Sequence, residues 1–147
     1  MNEHDFHAGR YLDDEGNPLP ILIDVVLLNL PDEMEMKLFS KTRPRSDAKA
    51  GFLDVGGAVP EDTDVDDVCR ALPLKFVGYY DRQEDDFVGA TYFAHPVEEV
   101  SEDDENFGKP QTGLTFFSRE WKLRCGFIYL RTLRTGGNPP VFNGVPP

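Results

Sequence analysis

Basic residues, cysteines and long apolar runs are all scarce in this chain. Fifteen Lys and Arg stand against 27 Asp and Glu, a formal net charge of −12. That balance argues against a generally basic face that wraps nucleic acid. It favours solubility, a basic protein partner, or imitation of a nucleic-acid backbone. The two cysteines, Cys69 and Cys125, lie far apart with no metal-ligand spacing. They read as two reduced thiols, with a disulfide or a catalytic cysteine as the alternatives. His4 and His7 form a histidine pair near a chain end, with no further ligands to complete a metal site. No apolar run approaches the roughly 18–20 residues of a membrane span. The longest, ILIDVVLLNL at 21–30, is broken by Asp24. The opening MNEHDFHAGR is polar and acidic, unlike a signal or transit peptide. The expectation is a cytoplasmic protein, in the host cytoplasm if it is viral, with no membrane partner.

What the chain does have is enough apolar material for one core. Of 147 residues, 39% are hydrophobic and 12% aromatic, which suits a single domain. Residues 1–20 read as a loosely held lead-in, 21–133 as one domain, and 134–147 as an extended tail rich in Gly and Pro. ILIDVVLLN (21–29) reads as a buried strand, LPDEME (30–35) as a turn and MKLFSKT (36–42) as a second, alternating strand. RPRSDAKA (43–50) reads as a basic loop and GFLDVGG (51–57) as a short strand ending at two glycines. LKFVGYY (74–80) and FVGATYFA (87–94) form the clearest hairpin, closed by the acidic turn DRQEDD (81–86). A long acidic loop spans 95–113, LTFF (114–117) is a short strand, and WKLRCGFIYL (121–130) is favoured as a strand because a helix would hold Gly126.

The stretch GFLDVGGAVPEDTDVDDVCRAL (51–72) raises the question of chemistry. Val65, Val68, Cys69 and Leu72 recur at helical spacing, Pro60 and the acids after it suit a helix start, and Pro73 ends the segment. Gly56 and Gly57 before a helix would expose backbone N–H groups to an anion, but no Lys or Arg flanks them and acids crowd the place of a phosphate. Asp62, Asp64 and Asp66 open like a calcium loop. Asp67 then stands where the tight-turn Gly belongs and Pro73 where the bidentate Glu belongs. A weaker Mg²⁺ site from two of Glu61, Asp62, Asp66 and Asp67 fits better; no other cofactor is indicated. A solvated turn before an acidic segment is the plain alternative.

The run MKLFSKTRPRSDAKAGFLDVGGAVPEDTDVDDVCRALPLKFVGYYD resembles the core of Nudix hydrolases, above all their isopentenyl diphosphate isomerase-like branch. Their signature is Gly, five residues, Glu, seven residues, Arg-Glu, an aliphatic, one residue and Glu-Glu. Here Gly56, Asp62, Arg70 and Leu72 fall on signature positions, with Asp62 in place of the first Glu. Ala71, Leu74 and Lys75 replace the remaining glutamates. The resemblance implies an α+β Nudix-like sandwich: a mixed or antiparallel sheet with one short helix after the Gly-Gly turn. It also implies a degenerate catalytic box, since those glutamates hold the Mg²⁺ that neutralises a diphosphate. A diphosphate ligand would then meet Gly56, Gly57, Arg43, Arg45 and Arg70.

Three functions stay open. The first is a non-catalytic binding protein, docking on a protein partner (a basic surface or a neighbouring subunit) or on a nucleoside diphosphate. The second is a Mg²⁺-dependent diphosphate hydrolase. The third is an acidic structural or inhibitory protein without a small-molecule site. Partner contact would fall on Glu98, Glu99, Glu102, Asp103, Asp104 and Glu105, and on Val141 and Phe142 of the tail.

Overall fold

One fourteen-residue strand organises the chain. In the structure, a computed structural model that describes residues 1–48, 51–54, 61–62 and 64–126, β4 (Val68–Asp81) is paired along both edges. Its first residues, Val68–Ala71, pair with β2 (Arg43–Ser46), and Leu72–Gly78 pair with β1 (Ile21–Leu27). On the edge away from β1, Leu74–Asp81 pair with β5 (Asp86–Phe93), which in turn pairs with β6 (Thr115–Phe116). β3 (Gly51–Phe52) extends the sheet beyond β2. All these pairings are antiparallel, and with two short helices they make an α+β protein.

The sequence of β4 suits its central place. Its β-branched and aromatic residues favour a pleated surface, and Ala71, Leu72, Leu74, Val77 and Tyr79 are all buried. The β4–β5 hairpin has the expected register, from Leu74 opposite Phe93 to Asp81 opposite Asp86. The helix expected across 60–72 is absent from the described part of that stretch. A single 3₁₀ turn, Val65–Asp67, leads straight into β4. Helical spacing over two turns is overridden by pairing: Val68–Ala71 align with Arg43–Ser46. Pro73 does not end the element either. It lies where pairing passes from β2 to β1, and its carbonyl accepts from the Ala94 N–H at 3.1 Å. RPRS is therefore strand β2 rather than loop.

Two other expectations are corrected by helices. Residues 32–37 form α1 (Asp32–Lys37), followed by a 3₁₀ turn at Phe39–Lys41 in place of a strand over 36–42. Acids in its first turn and Lys37 in its last complement the helix dipole. Met34 and Leu38, one helical turn apart, are buried, whereas Met36, which a strand would align with Leu38, is 74% exposed. Residues 119–124 form α2 (Arg119–Arg124), capped by the Ser118 side chain on the Trp121 N–H. Trp121 and Cys125, four apart, face the core while Leu123 is exposed, so the strand expected from Trp121 is not formed there.

The main core lies on the face of β4 that carries Leu72 and Leu74. Leu30, Met34, Leu38, Phe93 and Phe117 close over them, with Leu27, Trp121 and Cys125 at the margin. Fully burying each large apolar side chain contributes roughly 1.5–3 kcal/mol. Nearer the hairpin end, Phe6, Tyr11, Tyr80 and Phe87 pack as an aromatic cluster with centroids 5.0–6.2 Å apart. The N-terminal lead-in is thus packed on the sheet through Phe6, which is buried. β1 is a strand, as expected, but not a buried one: Leu22, Ile23, Val25 and Val26 are all exposed, because among the described residues β4 is its one neighbour.

Candidate functional site

The arginines expected to meet a diphosphate are engaged in structural bonds. Arg43 grips Asp54, with Nε 3.0 Å from both carboxylate oxygens and a second nitrogen at 2.8 Å, and its guanidinium lies over the Phe52 ring. Hydrogen bonding to Arg43 holds the Asp54 carboxyl below its ordinary value, against the opposing effect of burial. Arg45 pairs with Asp47. Arg70 donates to the Thr42 hydroxyl at 3.0 Å and to the carbonyls of Phe39 and Thr42, and stacks on Phe39. It clamps the turn after α1 against β4. His95, at the end of β5, is held below its ordinary pKa by burial first, and then by Arg43.

The carboxylates expected to hold Mg²⁺ are placed differently from one another. Asp67 accepts from the Ser46 hydroxyl and from the Ala48 N–H at 3.4 Å, tying the 3₁₀ turn to β2. Glu61, Asp62 and Asp66 are exposed. Among the described residues no three His, Cys, Asp or Glu side chains are grouped as a metal site requires. Gly56, Gly57, Val141 and Phe142 lie outside the described residues.

The acidic loop is where geometry adds something to the sequence. Glu98, Glu99 and Glu102–Glu105 are all exposed. Glu98 is turned toward Lys41 and Thr115, with its Oε1 3.1 Å from the Thr115 hydroxyl. The 102–107 segment instead curls at the far end of β4. Its course is set by short turns: the Ser101 and Asp104 side chains accept from the N–H groups of Asp103 and Asn106. Behind it Lys109 meets Asp81 at 3.5 Å and Gln111 donates to the Tyr79 hydroxyl at 2.9 Å. Asp81 is almost fully buried. The Gln83 N–H bonded to it, together with Lys109, holds its carboxyl below the ordinary value.

Two further acidic segments arrive at the same end. The β4–β5 turn brings Glu84, Asp85 and Asp86, all exposed. Asp85 accepts from the Tyr80 hydroxyl, which raises that phenol above its ordinary pKa. Arg82 reaches across to the Gly16 carbonyl at 3.0 Å, drawing in the loop of Asp13, Asp14 and Glu15. That loop is folded around Asp13, whose carboxylate accepts from the Asn17 side chain and N–H and is held below its ordinary pKa. The three segments line one groove of about 490 Å³, with Pro18, Tyr80, Glu105 and Phe107 among its walls. Residues 10–18, 79–86 and 102–110 together hold eleven carboxylates against Arg10, Arg82 and Lys109. Two of those cations are already paired, Arg10 with Asp14 and Lys109 with Asp81.

The sequence marks the 98–105 loop for partner contact and shows the acidic hairpin turn at 81–86, but it does not bring that turn, or Asp13–Glu15, to the same surface. Comparison with family models, curated proteins and solved structures finds no match for this chain.

Proposed function

We propose that this protein is a non-catalytic docking module that binds a basic protein surface through the acidic end of its sheet. The observation that carries the reading is the convergence of three acidic loops on one groove. The three segments that supply its walls carry a net of eight negative charges, two thirds of the chain's −12; of their carboxylates Asp81 and Glu105 line the groove itself and the others stand around it. Like charges so gathered repel one another. They create a field that steers a cationic partner and falls away beyond about 8 Å at physiological salt. Phe107, 49% exposed beside Tyr80 and Pro18, adds apolar contact inside the charged rim, the usual division of labour at an interface. The reading needs neither a Nudix-like sandwich nor a bound diphosphate.

The test is calorimetric titration of the full chain with an arginine- and lysine-rich peptide, at low and high salt. Binding should weaken at least tenfold on Asp103→Lys with Glu105→Lys. It should change little on an equal reversal at α1, Asp32→Lys with Glu35→Lys. Equal losses from both reversals, or binding indifferent to salt, would sink the reading.

A further inference from the structure

The acidic loop after β5 is cinched at its neck. The Glu98 N–H donates to the Gly113 carbonyl at 2.8 Å. Gly113 stands in the left-handed region at φ +77°, and a Cβ there would come within 2.5 Å of the Glu98 carbonyl oxygen. Glycine alone meets both demands. Between these two residues the chain runs through short turns. The N–H groups of Asp104, Phe107, Lys109 and Thr112 each donate to the carbonyl three residues earlier, and the Thr112 hydroxyl bonds the Asn106 and Lys109 carbonyls. A surface loop whose ends meet and whose interior is so bonded has its shape before any ligand arrives, which lowers the cost of binding.

Between this loop and the sheet lies a cavity of about 320 Å³ that shares no lining residue with the acidic groove. Tyr92 of β5 and Phe116 of β6 form its sheet side. They are ladder partners, and their rings meet edge to face at 6.0 Å. The loop supplies Glu98, Asp104, Asn106 and Gln111, and no Lys or Arg lines the cavity. Gln111 spends its Nε2 on the Tyr79 hydroxyl, and its Oε1 is buried with no donor among the described residues. A buried carbonyl oxygen in that state favours whatever brings it an N–H. We propose that this cavity binds a small organic ammonium ion, a charged amine head on an apolar stem.

The lining selects this chemistry over its rivals. Two carboxylates repel an anion, and a neutral apolar guest would strip water from them without return. A metal ion wants a shell of oxygens, and among the described residues no three His, Cys, Asp or Glu side chains are grouped to give one. An alkylammonium answers both halves of the cavity. Its head meets Glu98 and Asp104, which are exposed at the mouth, and its stem meets the two rings, whose faces also attract positive charge. Glu98 already takes the Thr115 hydroxyl at 3.1 Å and stands 4.0 Å from Lys41. An ionised carboxylate has about four acceptor positions, so it keeps room for a second cation. This site lies beyond the docking surface for a basic protein and stands without it.

Titration of the full chain with pentylammonium chloride, followed by amide NMR, tests this. The signals of Tyr92, Asn106 and Phe116 should shift saturably, and 1-pentanol, of like shape without the charge, should leave them in place. Glu98→Gln keeps an acceptor for Thr115 and should weaken binding about tenfold. Phe116→Leu keeps the wall apolar and should weaken it about threefold. Glu105→Gln, on the acidic groove, should change it little. If Glu98→Gln disturbs the free loop, Asp104→Asn, which still caps the Asn106 N–H, takes its place. The proposal is overturned by an absence of saturable shifts, by pentanol binding as well as pentylammonium, or by Glu105→Gln costing as much as the cavity variants.

Discussion

Lys109 and Asp81 face each other at 3.5 Å, the lysine from the acidic loop and the aspartate from the last position of β4. This pair fastens the loop that carries Glu102–Glu105 to the end of the sheet. Asp81 also accepts from the Gln83 N–H at 2.9 Å, so it holds the hairpin turn as well. Asp81→Ala leaves both donors without their partner and should cost about 1–3 kcal/mol, a fall of several degrees in Tm. Asp81→Asn keeps an accepting oxygen and should cost less. Thermal melts of the two variants check the order.

The depressed carboxyls of Asp81 and Asp54 give a pH dependence with a definite sign. Each binds its proton less readily in the folded chain than in the unfolded one. Their contribution is therefore complete above the ordinary value of 3.8 and is lost as pH falls through their lower folded values. Acid titration followed by circular dichroism should show a steeper loss of fold below about pH 4 in the natural chain than in Asp54→Asn.

His95 acts at milder pH. Its folded value lies below the ordinary 6.5, so the unfolded chain takes up the proton first. Stability from the neutral ring is complete above pH 6.5 and declines as pH falls toward the folded value. His95→Gln should flatten the change in Tm between pH 7.5 and 5.5. An unchanged slope would assign that dependence to other groups.

Arg43 holds Asp54 with a two-pronged grip and covers Phe52 at 4.3 Å. Lysine keeps the charge but loses the fork and the flat stacking surface. Arg43→Lys should cost about 1–2 kcal/mol, and Arg43→Ala more. A cost below about 0.5 kcal/mol for the alanine variant would rank the pair with ordinary surface ion pairs.

Phe117 is fully buried and meets Phe93 edge to face at 5.0 Å. Phe117→Ala should cost about 3–5 kcal/mol, the range for deleting a core aromatic. Urea unfolding of the variant measures it directly.

Elements whose pattern was long enough were legible in the sequence. The hairpin of 74–94 alternates over two strands joined by a polar turn, and it pairs as expected. α1 and α2 span six residues each, too short for periods of 3.6 and 2 to separate. Met36 and Leu38 suggested alternation, yet Met34 and Leu38 proved to be the buried pair. Apolar character alone suggested that Leu22, Ile23, Val25 and Val26 are buried; their exposure depends on where neighbouring strands stop. The acids of 98–105 were plain in the sequence. Their convergence with Asp13–Glu15 and Glu84–Asp86 depends on contacts such as Arg82 with Gly16, made between segments far apart in the chain.

The length of β4 has a mechanical consequence. β1, β2 and β5 are each laced directly to this single ribbon, and β3 and β6 to its neighbours. A pull along the ribbon would load all three adjoining ladders in shear at once, whereas a pull at Ile21 would peel β1 away one rung at a time. The chain should therefore resist a force that draws β4 lengthwise out from between its neighbours far better than one applied through its first strand.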